Sequence, residues 1–137
     1  TIHAGEARNA EDVKTAVHMG AVRIGHGVRI VGNKEVIQLV KDKGVFLEMC
    51  PTSNRQTKAM EEMSAYPLKA FLEMGLKVTL NTDDPAIERT TLSREFRYME
   101  SLLNLTQEQK RLLLLNSVEA AFTSRNRKWK LKEQLLF

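Results

Sequence analysis

His3 and Glu6 stand three residues apart in the opening Thr1-Ile2-His3-Ala4-Gly5-Glu6, and together they offer what a hydrolytic metal site uses. The imidazole can ligate a metal, and the carboxyl group can carry a proton. More residues of this kind follow later apolar runs: His26 after Val22-Arg23-Ile24-Gly25, Thr52-Ser53-Asn54 after Val45-Phe46-Leu47-Glu48-Met49, and Asp83-Asp84 after Val78-Thr79-Leu80. Taken singly these are weak signals. A lone His at a strand end is more often a hydrogen-bonded structural residue than a ligand, and Asp-Asp-Pro can simply cap the next helix. His18, inside a helical run, is read as structural. Two histidines and two adjacent carboxylates on one mouth shift the balance, because neutral imidazole and carboxylate together suit zinc.

The elements that would bring them together repeat as helix, glycine, strand. Asn9 can cap a helix with Val13, Ala16 and Val17 on one face, and Gly20 supplies its left-handed stop before the strand at Val22. Asn33 caps a second helix carrying Val36, Ile37 and Val40, ended by Gly44 before the strand at Val45. Pro67 suits the first turn of a third, with Leu68, Phe71 and Leu72 inward, ended by Gly75 before the strand at Val78. Short apolar strands separated by single helices belong to a parallel sheet covered by helices, since only crossovers return the chain in the same direction. The carboxyl ends of such strands lie together, and α/β folds bind ligands there. The remainder reads as helical: a stripe of Leu92, Phe96, Met99 and Leu103, a capping box of Thr106 with Gln109, and a last helix starting near Ser124. The Met-rich polar stretch from Thr52 to Ala65 is expected to be a mobile loop. Arg23 and Glu48, charged residues inside adjacent apolar strands, are expected to pair.

At 137 residues, 42% hydrophobic and 28% charged, the chain has room for one domain with a sizeable core. Its longest apolar run, Leu112 to Leu115, is far below the roughly 20 residues of a membrane span, so a cytoplasmic protein with no membrane contact is expected. The single cysteine, Cys50, excludes an intrachain disulfide framework and the Cys-x-x-Cys zinc base deaminases. The net charge of +4 gathers in Arg125, Arg127, Lys128, Lys130 and Lys132, read as a solvated helix face. Apart from Trp129 it lacks aromatic platforms, so no nucleic-acid partner is expected.

Four motifs in order carry a resemblance: His3-Ala4-Gly5-Glu6, Arg23-Ile24-Gly25-His26-Gly27, Cys50-Pro51-Thr52-Ser53-Asn54 and Leu80-Asn81-Thr82-Asp83-Asp84-Pro85. Together with Asn116-Ser117-Val118-Glu119-Ala120 they resemble the second half of the adenosine deaminase family, in the metal-dependent hydrolase superfamily. The resemblance implies the C-terminal half of a (β/α)8 barrel: four parallel strands with helices over about 1–105, then C-terminal helices over about 106–137. By this match His3 and Asp83 resemble zinc ligands, Glu6 the acid that protonates the purine ring, and His26 the residue that holds and deprotonates the attacking water. Asp84 and Gly5 resemble substrate-contacting residues. The implied activity is zinc-dependent conversion of adenosine or 2′-deoxyadenosine to the inosine product and ammonia.

The chain departs from the family where a His-x-His pair should add two zinc ligands, for it holds only His3, His18 and His26. Two ligands are fewer than the three a catalytic zinc site keeps. The chain is therefore expected to be the C-terminal half of a longer protein, inactive alone and completed by its N-terminal half or self-associated. The alternatives are another purine substrate (adenine, AMP or a modified adenosine) and a non-catalytic α/β fragment. Val22, Ile24, Val45, Leu47, Val78 and Leu80 are expected to divide between the two faces of the sheet, leaving apolar side chains bare on the open side, and both outer strands are expected to have unpaired edges.

Overall fold

The computed structural model describes residues 1–136; Phe137, the last residue of the expected C-terminal helical region, lies outside the described residues. Four parallel strands form one sheet in chain order: β1 (Ile2–Ala4), β2 (Arg23–His26), β3 (Phe46–Met49) and β4 (Lys77–Leu80). Between β1 and β2 lies α1 (Ala10–His18), and between β2 and β3 lies α2 (Lys34–Asp42). The crossover from β3 to β4 holds α3 (Pro51–Gln56) and α4 (Leu68–Glu73). After β4 come α5 (Pro85–Glu88), α6 (Leu92–Leu103), α7 (Gln107–Ala120) and α8 (Arg125–Leu136).

The caps follow the sequence. Asn9 accepts from the Glu11 amide, Asn33 from the Val36 amide, and Thr106 with Gln109 closes a reciprocal capping box on α7. Each satisfies an amide that the first helical turn leaves without a partner. The faces α1 and α2 turn inward, Val13, Ala16 and Val17 and then Val36 and Val40, are buried. In the expected stripe on α6, Met99 is fully buried, but Leu92 is exposed and lies at the rim of a cavity.

Strand parity corrects the expected division of the apolar residues. Register pairs Ile24 with Leu47 and Leu47 with Val78, and all three are fully buried on the helix-covered side. Val22, Val45 and Leu80 share their parity, so none of the six expected residues is on the open face. That face carries His3, Gly25, Glu48 and Thr79 in one row and Arg23, Phe46 and Lys77 in the next, aligned by register. Arg23 and Glu48 pair there as expected, Nη1 to Oε1 at 3.2 Å, and Phe122 lies 3.6 Å from the Arg23 guanidinium carbon. Apart from Phe46, the open side of the sheet is polar.

One further expectation is corrected. The stretch Thr52 to Ala65 is not one loop: it begins inside α3, where Thr52, Ser53 and Asn54 are buried, and it ends in a one-turn 3-10 helix at Met63–Ala65. Pro51 starts α3 one residue after β3, which suits its fixed φ and missing donor. Both outer strands, β1 and β4, have no strand beyond them among the described residues, as expected. α7 packs along β4, and the Asn116 side-chain amide donates to the outward carbonyl of Val78 at 2.8 Å, whereas β1 has no neighbour on its outer side among the described residues.

Candidate active site

The carboxyl ends of the strands surround a cavity of about 430 Å³ lined by His3, His26, Glu48, Cys50, Asp83 and Ser117 among others. His3, His26 and Asp83 each present one ligand-type atom to it, and these three atoms lie within 4.8 Å of one another. The His3 and His26 rings meet edge to face with centroids 5.0 Å apart. Gly25 makes room for this, since a Cβ there would stand 2.5 Å from the His3 ring. A larger concavity of about 720 Å³ between the starts of α1 and α2 is lined by Asn9, Glu11, Asn33 and Lys34, and brings no cluster of metal-ligating side chains together.

His26 and Asp83 carry left-handed backbone, with φ of 71° and 65°. Side chains with a Cβ adopt this region at a cost of about 1–3 kcal/mol, and such outliers concentrate where a fold aims functional groups. His26 is the last residue of β2 and Asp83 lies in the turn between β4 and α5, and both side chains face the mouth. His26 is 1% exposed, its Nε2 3.3 Å from Glu6 Oε2 and 3.8 Å from Asp83 Oδ2. Burial lowers its pKa from the ordinary histidine value, although Glu6 and Asp83 pull the other way. Burial raises the Cys50 thiol, as do the carboxylates around it, so Cys50 stays protonated and unreactive.

Glu6, His3, His26 and Asp83 are thus brought together. Asp84 and Gly5 are placed differently. Asp84 caps α5, its Oδ1 accepting from the amides of Ala86 and Ile87, the capping reading that the Asp-Asp-Pro sequence left open. Gly5 is buried at φ 67° in the turn after β1, its carbonyl taken by the Arg29 amide at 2.9 Å, and a Cβ there would stand 2.6 Å from Val13.

The cluster is held by Ser53 and Asn54, which the sequence places after the third apolar run without a role, and by Thr57 and Tyr66, which it did not single out. Ser53 donates to Asp83 at 2.8 Å, Thr57 to Glu6 at 3.0 Å, and the Asn54 amide nitrogen lies 3.0 Å from His26 Nδ1 and 3.3 Å from Glu6 Oε1. The buried Tyr66 hydroxyl donates to Asn54 Oδ1 at 2.8 Å. The signal for Ser53 and Asn54 was their place after β3; nothing in the sequence pointed to Tyr66. Behind α3, buried Glu95 accepts from the Thr52 amide and from the hydroxyls of Thr52 and Thr90, tying α6 to α3.

The adenosine deaminase family model matches residues 1–136. The chain belongs to the adenosine deaminase family. Among its curated relatives, a protein named adenosine deaminase from Clostridium botulinum (strain Okra / Type B1) is 46% identical over 133 residues, covering 96% of this chain and 40% of the relative. Another of that name from Haemophilus ducreyi is 44% identical over 124 residues, 90% of this chain and 36% of the relative. The solved adenine deaminase from Arthrobacter aurescens superposes with a TM-score of 0.94 at 31% identity, covering 98% of this chain and 42% of that one. A zinc-bound amidohydrolase from Burkhoderia ambifaria gives 0.86 at 25% identity, covering 98% and 38%. The chain therefore corresponds to the C-terminal part of these proteins and spans about 40% of the length of the curated relatives described, and its four strands and helices are part of an amidohydrolase (β/α)8 barrel.

Proposed function

We propose that the chain supplies, within a longer protein, the acid–base groups and part of the metal-holding groups of a site that hydrolyses adenosine or 2′-deoxyadenosine to the inosine product and ammonia. The observation that carries this reading is the cluster of His3, His26 and Asp83, the one such group among the described residues, with Glu6 3.3 Å from His26. Imidazole and carboxylate fit zinc in donor chemistry, and His3 and Asp83 are the residues that would hold it. When bound, zinc lowers the pKa of water from 15.7 to roughly 7. The remaining ligands would come from the protein's N-terminal half.

The residues of this chain divide the rest of the work. His26, expected from the resemblance to hold and deprotonate the attacking water, is proposed here only to hold it against C6 of the purine, between Glu6 and Asp83, with Asp83 receiving the proton. Glu6, protonated, donates to ring N1 as C6 becomes tetrahedral, so charge never builds on the ring. The balance is adenosine plus water giving inosine plus ammonia: the C6–O bond forms, the C6–N bond breaks, and the two water protons end on N1 and on ammonia. Asp84, with one oxygen left beyond its cap, and the Gly5 amide are the candidates for purine contact.

Adenine is the second reading, favoured by the 0.94 superposition on a protein named adenine deaminase. The full-length protein, assayed for ammonia release on adenosine, 2′-deoxyadenosine, adenine and AMP with and without a chelator, decides. Chelator-sensitive release from the two nucleosides is expected; release from adenine alone would replace the proposed substrate.

A further inference from the structure

The metal-ligating cluster is ambiguous as it stands, because His26 Nε2 is close enough to His3 and Asp83 to be counted as a third ligand. Its other ring nitrogen resolves the question. Asn54 is fully buried, and its side-chain nitrogen is 3.0 Å from His26 Nδ1. A side-chain amide can be turned end for end without changing its shape, so the orientation must be argued from its partners. The same nitrogen faces Glu6 Oε1 at 3.3 Å, and turning the amide would set its oxygen against that carboxyl oxygen. In that orientation the buried Tyr66 hydroxyl, 2.8 Å from Asn54 Oδ1, donates to it and holds the far end of the amide. With the nitrogen of Asn54 donating to Nδ1, Nδ1 is the acceptor and the ring's one proton sits on Nε2.

We infer that Asn54, held by Tyr66, is a positioning residue that fixes His26 as the Nε2–H tautomer and so keeps it out of the metal's ligand set. A nitrogen that carries a proton has no lone pair for a metal, whereas it can donate a hydrogen bond into the mouth toward water, Glu6 and Asp83. His3 faces the cavity with no such donor on its ring among the described hydrogen bonds. One amide thereby touches both proton-handling side chains, orienting the Glu6 carboxyl and the His26 ring from the first turn of α3. Asn54 acts through these groups and makes no contact with substrate.

The inference rests on the proposed deaminase reading for its kinetic consequence, but its central claim can be tested without activity. In full-length protein labelled with 15N-histidine and stripped of metal, the ring signals of His26, assigned by their loss in His26→Gln, should show protonated Nε2 and bare Nδ1. Protonation on Nδ1 in the wild type overturns the inference. In Asn54→Asp the new carboxylate can only accept, so the ring should switch to Nδ1–H, and kcat should fall at least about 100-fold with KM within about threefold, in the range lost when a catalytic histidine is held in the wrong tautomer. Tyr66→Phe, which keeps the ring packing, should give a mixture of the two tautomers and an intermediate loss. An Asn54→Asp protein that keeps the wild-type tautomer, or a wild-type rate with the switched one, refutes the role. A wild type with the expected tautomer but no deamination leaves this inference standing and defeats the substrate reading instead.

Discussion

Glu6 is the residue on which the proposed chemistry turns, because only a group that meets ring N1 can prevent charge from building there. Glu6→Gln keeps the shape and can still donate from its amide nitrogen, yet it has no proton to release. In the full-length protein this change should lower kcat by about 10²–10⁴-fold while KM changes little, the range general acid catalysis contributes. Equal losses in kcat and in nucleoside binding would show that Glu6 only positions substrate. Glu88 makes a prediction about stability. It is 9% exposed, one carboxyl oxygen has no hydrogen-bond partner, and burial raises its pKa above the ordinary 4.5, with Asp83 adding to the shift. A raised carboxyl holds its proton longer in the folded state than in the unfolded chain, so folding stability falls as pH rises from 4.5 through the folded value and stays lowered above it. Glu88→Gln should therefore melt higher than wild type at pH 7, with the gap closing as pH falls below 4.5; a gap independent of pH would mean that the charge is not its cause. That His3, Glu6, His26 and Asp83 come together was legible, since each lies at or soon after the end of an apolar run. Their supports were not: Asn54 looked like part of a polar loop, and Tyr66 reaches the site only because α3 starts directly after β3.

The helix, glycine, strand repeat was readable because each cap and stop has a local cause, an Asn side chain for a free amide or a glycine for positive φ. Which face of each strand looks where was not. Isolated runs of three or four residues show no alternation, and only register shows that Ile24, Leu47 and Val78 share the helix side while His3, Gly25 and Glu48 share the other. The Arg23–Glu48 pair could be foreseen because two opposite charges in adjacent strands have few other ways to be buried. Gly25 matters at this scale, since the missing Cβ lets β1's histidine lie across β2. Gly25→Ala would put a methyl group 2.5 Å from the His3 ring and should displace it, with the backbone of β2 otherwise undisturbed. Metal titration of the full-length protein should then show affinity weakened at least about tenfold with a melting temperature close to wild type, as expected when a ligand's support is disturbed. Unchanged affinity would remove His3 from the ligand set.

For the whole molecule, the polar open face changes what the chain alone should do. An apolar inner face would cost about 25 cal/mol for every Å² left in water and would drive collapse. Instead the apolar side of the sheet is buried under the helices by Leu68, Phe71, Leu113 and their neighbours, and the open side carries an ion pair and hydrogen-bonding groups. What remains unsatisfied is β1. Its outer edge has no partner among the described residues, while at the outer edge of β4, also without a strand beyond it, the Asn116 amide takes the Val78 carbonyl. An open edge strand recruits another strand. The 137-residue chain on its own should therefore keep its helical and strand content but self-associate with rising concentration, and it should release no ammonia from adenosine, having only two of the three ligands a catalytic zinc keeps. Supplying an N-terminal half that carries His-x-His should abolish self-association and restore chelator-sensitive deamination together. Sedimentation and ammonia release measured on the same samples decide the matter: a chain that is monomeric and active without that half would overturn the half-barrel reading, and one that stays self-associated after the half is supplied would show that β1 is not where the two parts join.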